Sequence, residues 1–152
     1  MSRTVRLLSS LFLVPLIFGL FPTLTAGAGA GCTITGTNEG ETLRGDASDD
    51  VICARGGRDF VQGKAGMDTL IGGAGADDLR GGHDGDLVRG GKGLDSLLGG
   101  FGDDVLRGEA NADSLIATDG SPGDVANGGP GNDVCRVDEG DIVRRCEHVI
   151  TS

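Results

Sequence analysis

An acidic residue returns at every ninth position through most of this chain, and few folds can absorb such a period. Written in rows of nine from Gly36, the sixth column reads Asp50, Asp59, Asp68, Asp77, Asp86, Asp95, Asp104 and Asp113 without a slip, preceded by Glu41. The eighth column is aliphatic throughout: Leu43, Ile52, Val61, Leu70, Leu79, Val88, Leu97, Leu106 and Leu115. The first column is glycine at 36, 45, 63, 72, 81, 90, 99 and 108, with Ala54 the exception. A period of this length marks a repeat architecture, in which each unit buries its apolar side chain only against its neighbours. The register slips after Ile116, where Ala117 to Asn127 spans eleven residues including Pro122, and recovers over Gly128 to Arg136 with Asp133 in the sixth column.

Composition narrows the choice. The 152 residues include 30 glycines and five phenylalanines but no Trp or Tyr, which excludes a dense aromatic core. Four prolines and no three-residue period exclude collagen. The formal charge of −10 speaks against nucleic acid, whose phosphates call for a basic face, and favours a cationic partner.

Residues 1–30 read as a secretory signal peptide. Arg3 and Arg6 precede an apolar run from Leu7 to Phe21, and the small residues Ala26, Ala28 and Ala30 place cleavage near 26–30. Ser9, Ser10 and Pro15 interrupt the run, which is short of the roughly 20 apolar residues of a membrane span. An uncleaved anchor and a lipid-modified Cys32 are the other readings of this segment. Gly29, standing where a lipoprotein signal usually has Leu, speaks against the second. The expected product is secreted and extracellular, has no membrane span, and carries 11 bases against 23 acids, a formal charge of −12. Four cysteines in an exported chain point to two disulfides with three possible connectivities. Their clustering near the two ends favours Cys32 with Cys53 and Cys135 with Cys146, closing the terminal units of a repeat array; a buried thiol is the other reading of Cys135.

The rows resemble the hemolysin-type calcium-binding (RTX) repeat, G-G-x-G-x-D-x-U-x with U a large aliphatic residue, and those starting at Gly72, Gly90, Gly99 and Gly128 carry the pattern. The resemblance covers about residues 36 to 136. It implies an all-β chain, a right-handed parallel β-roll (a β-solenoid) with two nonapeptides in each coil. It also implies calcium ions bridging stacked turns, so that Asp68 and Asp86, for example, bracket one site.

On that geometry each row divides into a turn of six residues and a strand of three. Glycine in columns one, two and four supplies positive φ and unshielded carbonyls. Asp84 and Asn111 in column four tolerate the left-handed region, whereas Glu39 and Ser48 tolerate it less, so the first turns are expected to bind metal weakly or not at all. Column eight faces the core, while columns seven and nine, including Arg44, Arg80, Arg89, Arg107 and Arg136, face outward. Residues 18 apart stack. One sheet then holds Leu43, Val61, Leu79, Leu97 and Leu115, and the other Ile52, Leu70, Val88 and Leu106.

Stacked carboxylates repel unless a cation lies between them. Calcium accepts six to eight oxygens from carboxylates and carbonyls, which are the ligands a Gly/Asp turn offers. Zinc or copper would call for His or Cys, and His83 and His148 lie far apart. The expected ligands are Asp50, Asp59, Asp68, Asp77, Asp86, Asp95, Asp104, Asp113 and Asp133, with glycines of the turns: Gly63 and Gly66; Gly72, Gly73 and Gly75; Gly81 and Gly82; Gly90, Gly91 and Gly93; Gly99, Gly100 and Gly102. Two buried aliphatics per 18 residues are little to order a glycine-rich coil, so the repeats are expected to be disordered without calcium and to fold on binding it.

No G-x-S-x-G, H-E-x-x-H, Walker or EF-hand motif is present, so no enzymatic activity is expected. The organisation expected is a signal peptide over 1–30, an N-terminal cap with degenerate repeats over 31–53, calcium-binding repeats over 54–136 with an insertion at 117–127, and a C-terminal cap over 137–152. The function expected is secreted calcium binding coupled to folding. The alternative is a non-catalytic accessory or surface-adhesion component of an extracellular enzyme or toxin system.

Overall fold

The computed structural model describes residues 31–152; the expected signal peptide lies outside the described residues. These residues form fourteen strands in two parallel sheets. The first sheet orders β1 (Ile34–Thr35), β3 (Val51–Gly56), β5 (Thr69–Ala74), β7 (Leu87–Lys92), β9 (Val105–Ala110), β11 (Val125–Asn127) and β13 (Ile142–Arg144). The second orders β2 (Thr42–Arg44), β4 (Phe60–Lys64), β6 (Asp78–His83), β8 (Ser96–Phe101), β10 (Ser114–Ala117), β12 (Val134–Val137) and β14 (His148–Thr151). The chain alternates between sheets at every row, and two rows close one coil of a β-roll.

The eighth column stacks at 18-residue intervals, Leu43 on Val61 on Leu79 on Leu97 on Leu115 in one sheet and Ile52 on Leu70 on Val88 on Leu106 in the other. From Ile52 to Leu115 every one of these side chains is fully buried. The segment 117–127 does not interrupt the array. It carries β11, with Ala126 paired to Leu106, and the two extra residues are absorbed in the turn before Asp124.

Two expectations about the repeat unit are corrected. The strand occupies six residues in the regular coils, columns seven through three, rather than three, because parallel pairing continues past the aliphatic position, as in Gly73 with Gly91 and Ala74 with Lys92. Inward alternation therefore runs through columns six, eight and one, and Ala54, Ala117 and Val137 join the core from column one. The first-column glycines also do not take positive φ, which is confined in the regular turns to columns two and four. Column one is glycine for want of space: a Cβ on Gly72 would lie 2.5 Å from Oδ2 of Asp77 and 2.7 Å from the carbonyl oxygen of Gly90.

Both expected disulfides are formed, each with Cα atoms 6.0 Å apart. Cys32–Cys53 ties the entering chain to β3. Cys135–Cys146 ties the buried eighth position of β12 to the last turn, so Cys135 is not a free core thiol.

Candidate metal centre

Because column six shares the inward phase of column eight, each aspartate turns its carboxylate into its own glycine turn rather than into solvent. Asp59, Asp68, Asp77, Asp86, Asp95, Asp104, Asp113, Asp124 and Asp133 are all at most 3% exposed, so they are not a solvated acidic surface. One oxygen of each is spoken for. In one edge ladder the backbone N–H groups of Asp50, Asp68, Asp86 and Asp104 donate to Oδ1 of Asp68, Asp86, Asp104 and Asp124 at 2.7–2.8 Å. In the other, Glu41, Asp59, Asp77, Asp95 and Asp113 donate to Asp59, Asp77, Asp95, Asp113 and Asp133 at 2.7–2.9 Å.

The second oxygen is not. Oδ2 of all nine buried aspartates is out of contact with solvent and has no hydrogen-bond partner. A buried polar atom without a partner is costly, and a buried carboxylate more so. Carbonyl oxygen lies close to several of these atoms: the Cβ point of Gly81 is crowded by Oδ2 of Asp86 and lies 2.7 Å from the carbonyl oxygen of Gly99, and Gly63, Gly72, Gly90 and Gly108 repeat the pairing with Asp68, Asp77, Asp95 and Asp113.

The glycines of columns two and four play a different part. Gly73, Gly82, Gly91 and Gly100 in column two, and Gly66, Gly75, Gly93 and Gly102 in column four, have positive φ, and a Cβ at any of them would collide with backbone of the preceding coil. Arg55, Lys64 and Glu109 adopt positive φ in column two, and Asp84 and Asn111 in column four.

The terminal turns are built otherwise. Glu39 and Ser48 do not take positive φ. There the column-two N–H reaches the carboxylate, Thr37 donating to Oε2 of Glu41 at 2.6 Å and Asp46 to Oδ2 of Asp50 at 3.0 Å. Asp50, expected among the ligands, is thus set apart from the nine. At the other end Asp141 accepts through both oxygens, from the N–H groups of Gly123 and Asp138.

Burial dominates the electrostatics of the regular turns. Withdrawal from water, reinforced by neighbouring carboxylates, raises Asp86, Asp113 and Asp124 from the ordinary 3.8 to about 7 and Asp95 and Asp104 to about 6. Asp59, Asp68 and Asp77 are raised for the same reason. Such carboxylates call for a proton or a cation. Among the described residues no three His, Cys, Asp or Glu side chains converge as a metal cluster, so any site here takes most of its donors from the backbone. Carboxylate plus carbonyl oxygen is the donor set of a hard cation such as calcium and not of zinc or copper.

Sequence reading missed Asp124. Its signal was available, since Asp124-Val125-Ala126-Asn127-Gly128 keeps the spacing of acid, apolar residue and glycine, with alanine in the aliphatic place.

A family model described as the RTX calcium-binding nonapeptide repeat matches the chain in four copies, over residues 35–66, 54–88, 62–97 and 89–122. No curated protein and no solved structure matches.

Proposed function

The chain belongs to the RTX calcium-binding nonapeptide repeat family, and on that premise we propose that its activity is the binding of several calcium ions in the regular turns, coupled to the folding of the β-roll. The observation that carries the proposal is the row of nine buried Oδ2 atoms without partners. Calcium supplies a doubly charged centre with flexible oxygen coordination. This chain's part is to present Oδ2 of Asp59, Asp68, Asp77, Asp86, Asp95, Asp104, Asp113, Asp124 and Asp133 together with carbonyls of the adjoining glycine turns, while each Oδ1 holds the backbone N–H of the preceding coil in register. The turns of Glu41, Asp50 and Asp141, whose carboxylates are satisfied internally, act as caps with no ion of their own.

Two disulfides and no free cysteine among the described residues suit an oxidising compartment, and we place the protein outside the cytoplasm. No helix among the described residues is long and apolar enough to cross a membrane. We assign no catalytic role; the repeat roll serves as a scaffold.

Calorimetric titration of chelator-treated protein with calcium tests the reading. Saturable binding of several ions is expected, with fewer bound by Asp86→Asn. Absence of bound calcium at about millimolar concentration, the weak end for extracellular modules, would overturn it.

A further inference from the structure

Charge is segregated on this molecule. Of the 23 acids only Asp78 and Glu109 lie on strands, whereas nine of the 11 bases of the described residues do. Both strand acids are engaged by arginines of their own sheet, Asp78 with Arg80 at 3.0 Å and Glu109 with Arg89 at 2.8 Å. The turns therefore form two acidic edges, and the outward strand faces are basic.

On the first sheet this basic face is also concave. The outward column-two positions of successive coils, Gly73, Gly91, Glu109 and Gly129, make the floor of a trough that runs across the strands. One wall is column nine, with Ile71, Arg89 and Arg107, and the other is column three, with Ala74, Lys92 and Pro130. The trough comprises two recesses of about 340 and 410 Å³ that meet at Glu109. Arg55 lines one end and Arg145 the other, five strand spacings apart, or about 24 Å at the usual separation. Arg89, Lys92, Arg107 and Arg145 thus line the trough beside Arg55, and Glu109, the one acid among its described lining residues, is held by Arg89.

From this geometry we infer that the outer face of the first sheet is a docking groove for a single chain of acidic polysaccharide. Charge complementarity calls for an anionic occupant. The open-ended linear shape, floored by glycines, calls for a narrow polymer. A duplex is too wide for a floor one residue across. A single-stranded nucleic acid is held largely by stacking on aromatic rings, and among the described residues this face has none: Phe60, His83 and Phe101 all lie on the second sheet, where His83 and Phe101 stack at 5.2 Å. A bilayer meets the face as a plane and leaves the floor unfilled. The inference goes beyond calcium binding and needs only that the roll is folded.

Fluorescence anisotropy of labelled hexagalacturonate, with a sulfated hexasaccharide as second arm, tests it on protein whose sheet signal is verified by circular dichroism, in calcium or in chelator, whichever shows the roll. That choice keeps the outcome readable if calcium binding itself fails. The expected result is saturable binding of one or both sugars, at least tenfold weaker in Lys92→Gln/Arg107→Gln and unchanged in Arg80→Gln on the opposite sheet. Binding of neither sugar, or equal binding by the double variant as if calcium bridged sugar to the acidic turns, would overturn it. So would tighter binding of single-stranded DNA, polyglutamate or anionic vesicles.

Discussion

The backbone N–H of Asp68 donates to Oδ1 of Asp86 at 2.8 Å, while Oδ2 of Asp86 has no partner. One carboxylate thus has two separable duties, joining coils and receiving a cation. Asp86→Asn keeps an oxygen for Asp68 and removes the charge, so it should weaken calcium binding while leaving the junction between coils intact. Asp86→Ala also leaves the Asp68 N–H unsatisfied and should cost about 1–3 kcal/mol more than Asp86→Asn in calcium. Calcium titration of both variants, beside denaturant unfolding in saturating calcium, separates the duties.

Protons should substitute for calcium. Aspartates whose pKa the fold raises from 3.8 to about 6 or 7 add stability that is fully present below 3.8 and is lost as pH climbs through the raised values. In chelator, acidification from about pH 8 to about pH 5 should therefore increase sheet signal and melting temperature. In saturating calcium the dependence should reverse, because the ion requires the ionised carboxylate. Thermal melts at the two pH values under both conditions check the signs.

Glycines one position apart should fail for different reasons. At Gly72, whose φ is ordinary, a methyl group collides with Asp77 Oδ2 at 2.5 Å, so Gly72→Ala should displace the carboxylate and lower calcium affinity. At Gly73, with φ of 106°, a Cβ would lie 2.1 Å from the carbonyl oxygen of Arg55, and Gly73→Ala should cost about 1–3 kcal/mol through backbone strain as well as crowding. Calcium affinity and unfolding free energy, measured on each, should rank the two oppositely.

The roll should fray from its ends. In a solenoid each coil touches only its neighbours, so loss of Cys135–Cys146 should be felt locally. Cys135→Ala/Cys146→Ala removes a link worth about 2–4 kcal/mol in small domains. Hydrogen exchange should show lost protection in β12, β13 and β14 while β5 to β8 keep theirs.

The period made most of this architecture legible. Acid, aliphatic and glycine columns are direct records of which residues stack, so both sheets, the eighth-column core and both disulfides could be read before any coordinates. What stayed hidden was whatever depends on the phase of alternation through the turn. That Asp77 points inward and not along a wet edge, and that Gly72 is glycine for room and not for φ, follow from a strand that continues past column nine. No single row announces that. Asp124 escaped because the two added residues before it broke the count, although the local pattern around it survived. The basic trough was invisible for a similar reason: Arg55, Lys92, Arg107 and Arg145 are scattered in sequence and meet only when columns nine, two and three become one face.

Far-ultraviolet circular dichroism of chelator-treated protein at about pH 8, followed through addition of calcium and separately of magnesium, bears most directly on the claim that nine buried carboxylate oxygens require a cation. The expected course is little sheet signal in chelator, full recovery with calcium, and poor recovery with magnesium, whose strict octahedral geometry suits a carbonyl-rich turn less well. A complete sheet spectrum in chelator at that pH, unchanged by either ion, would contradict it.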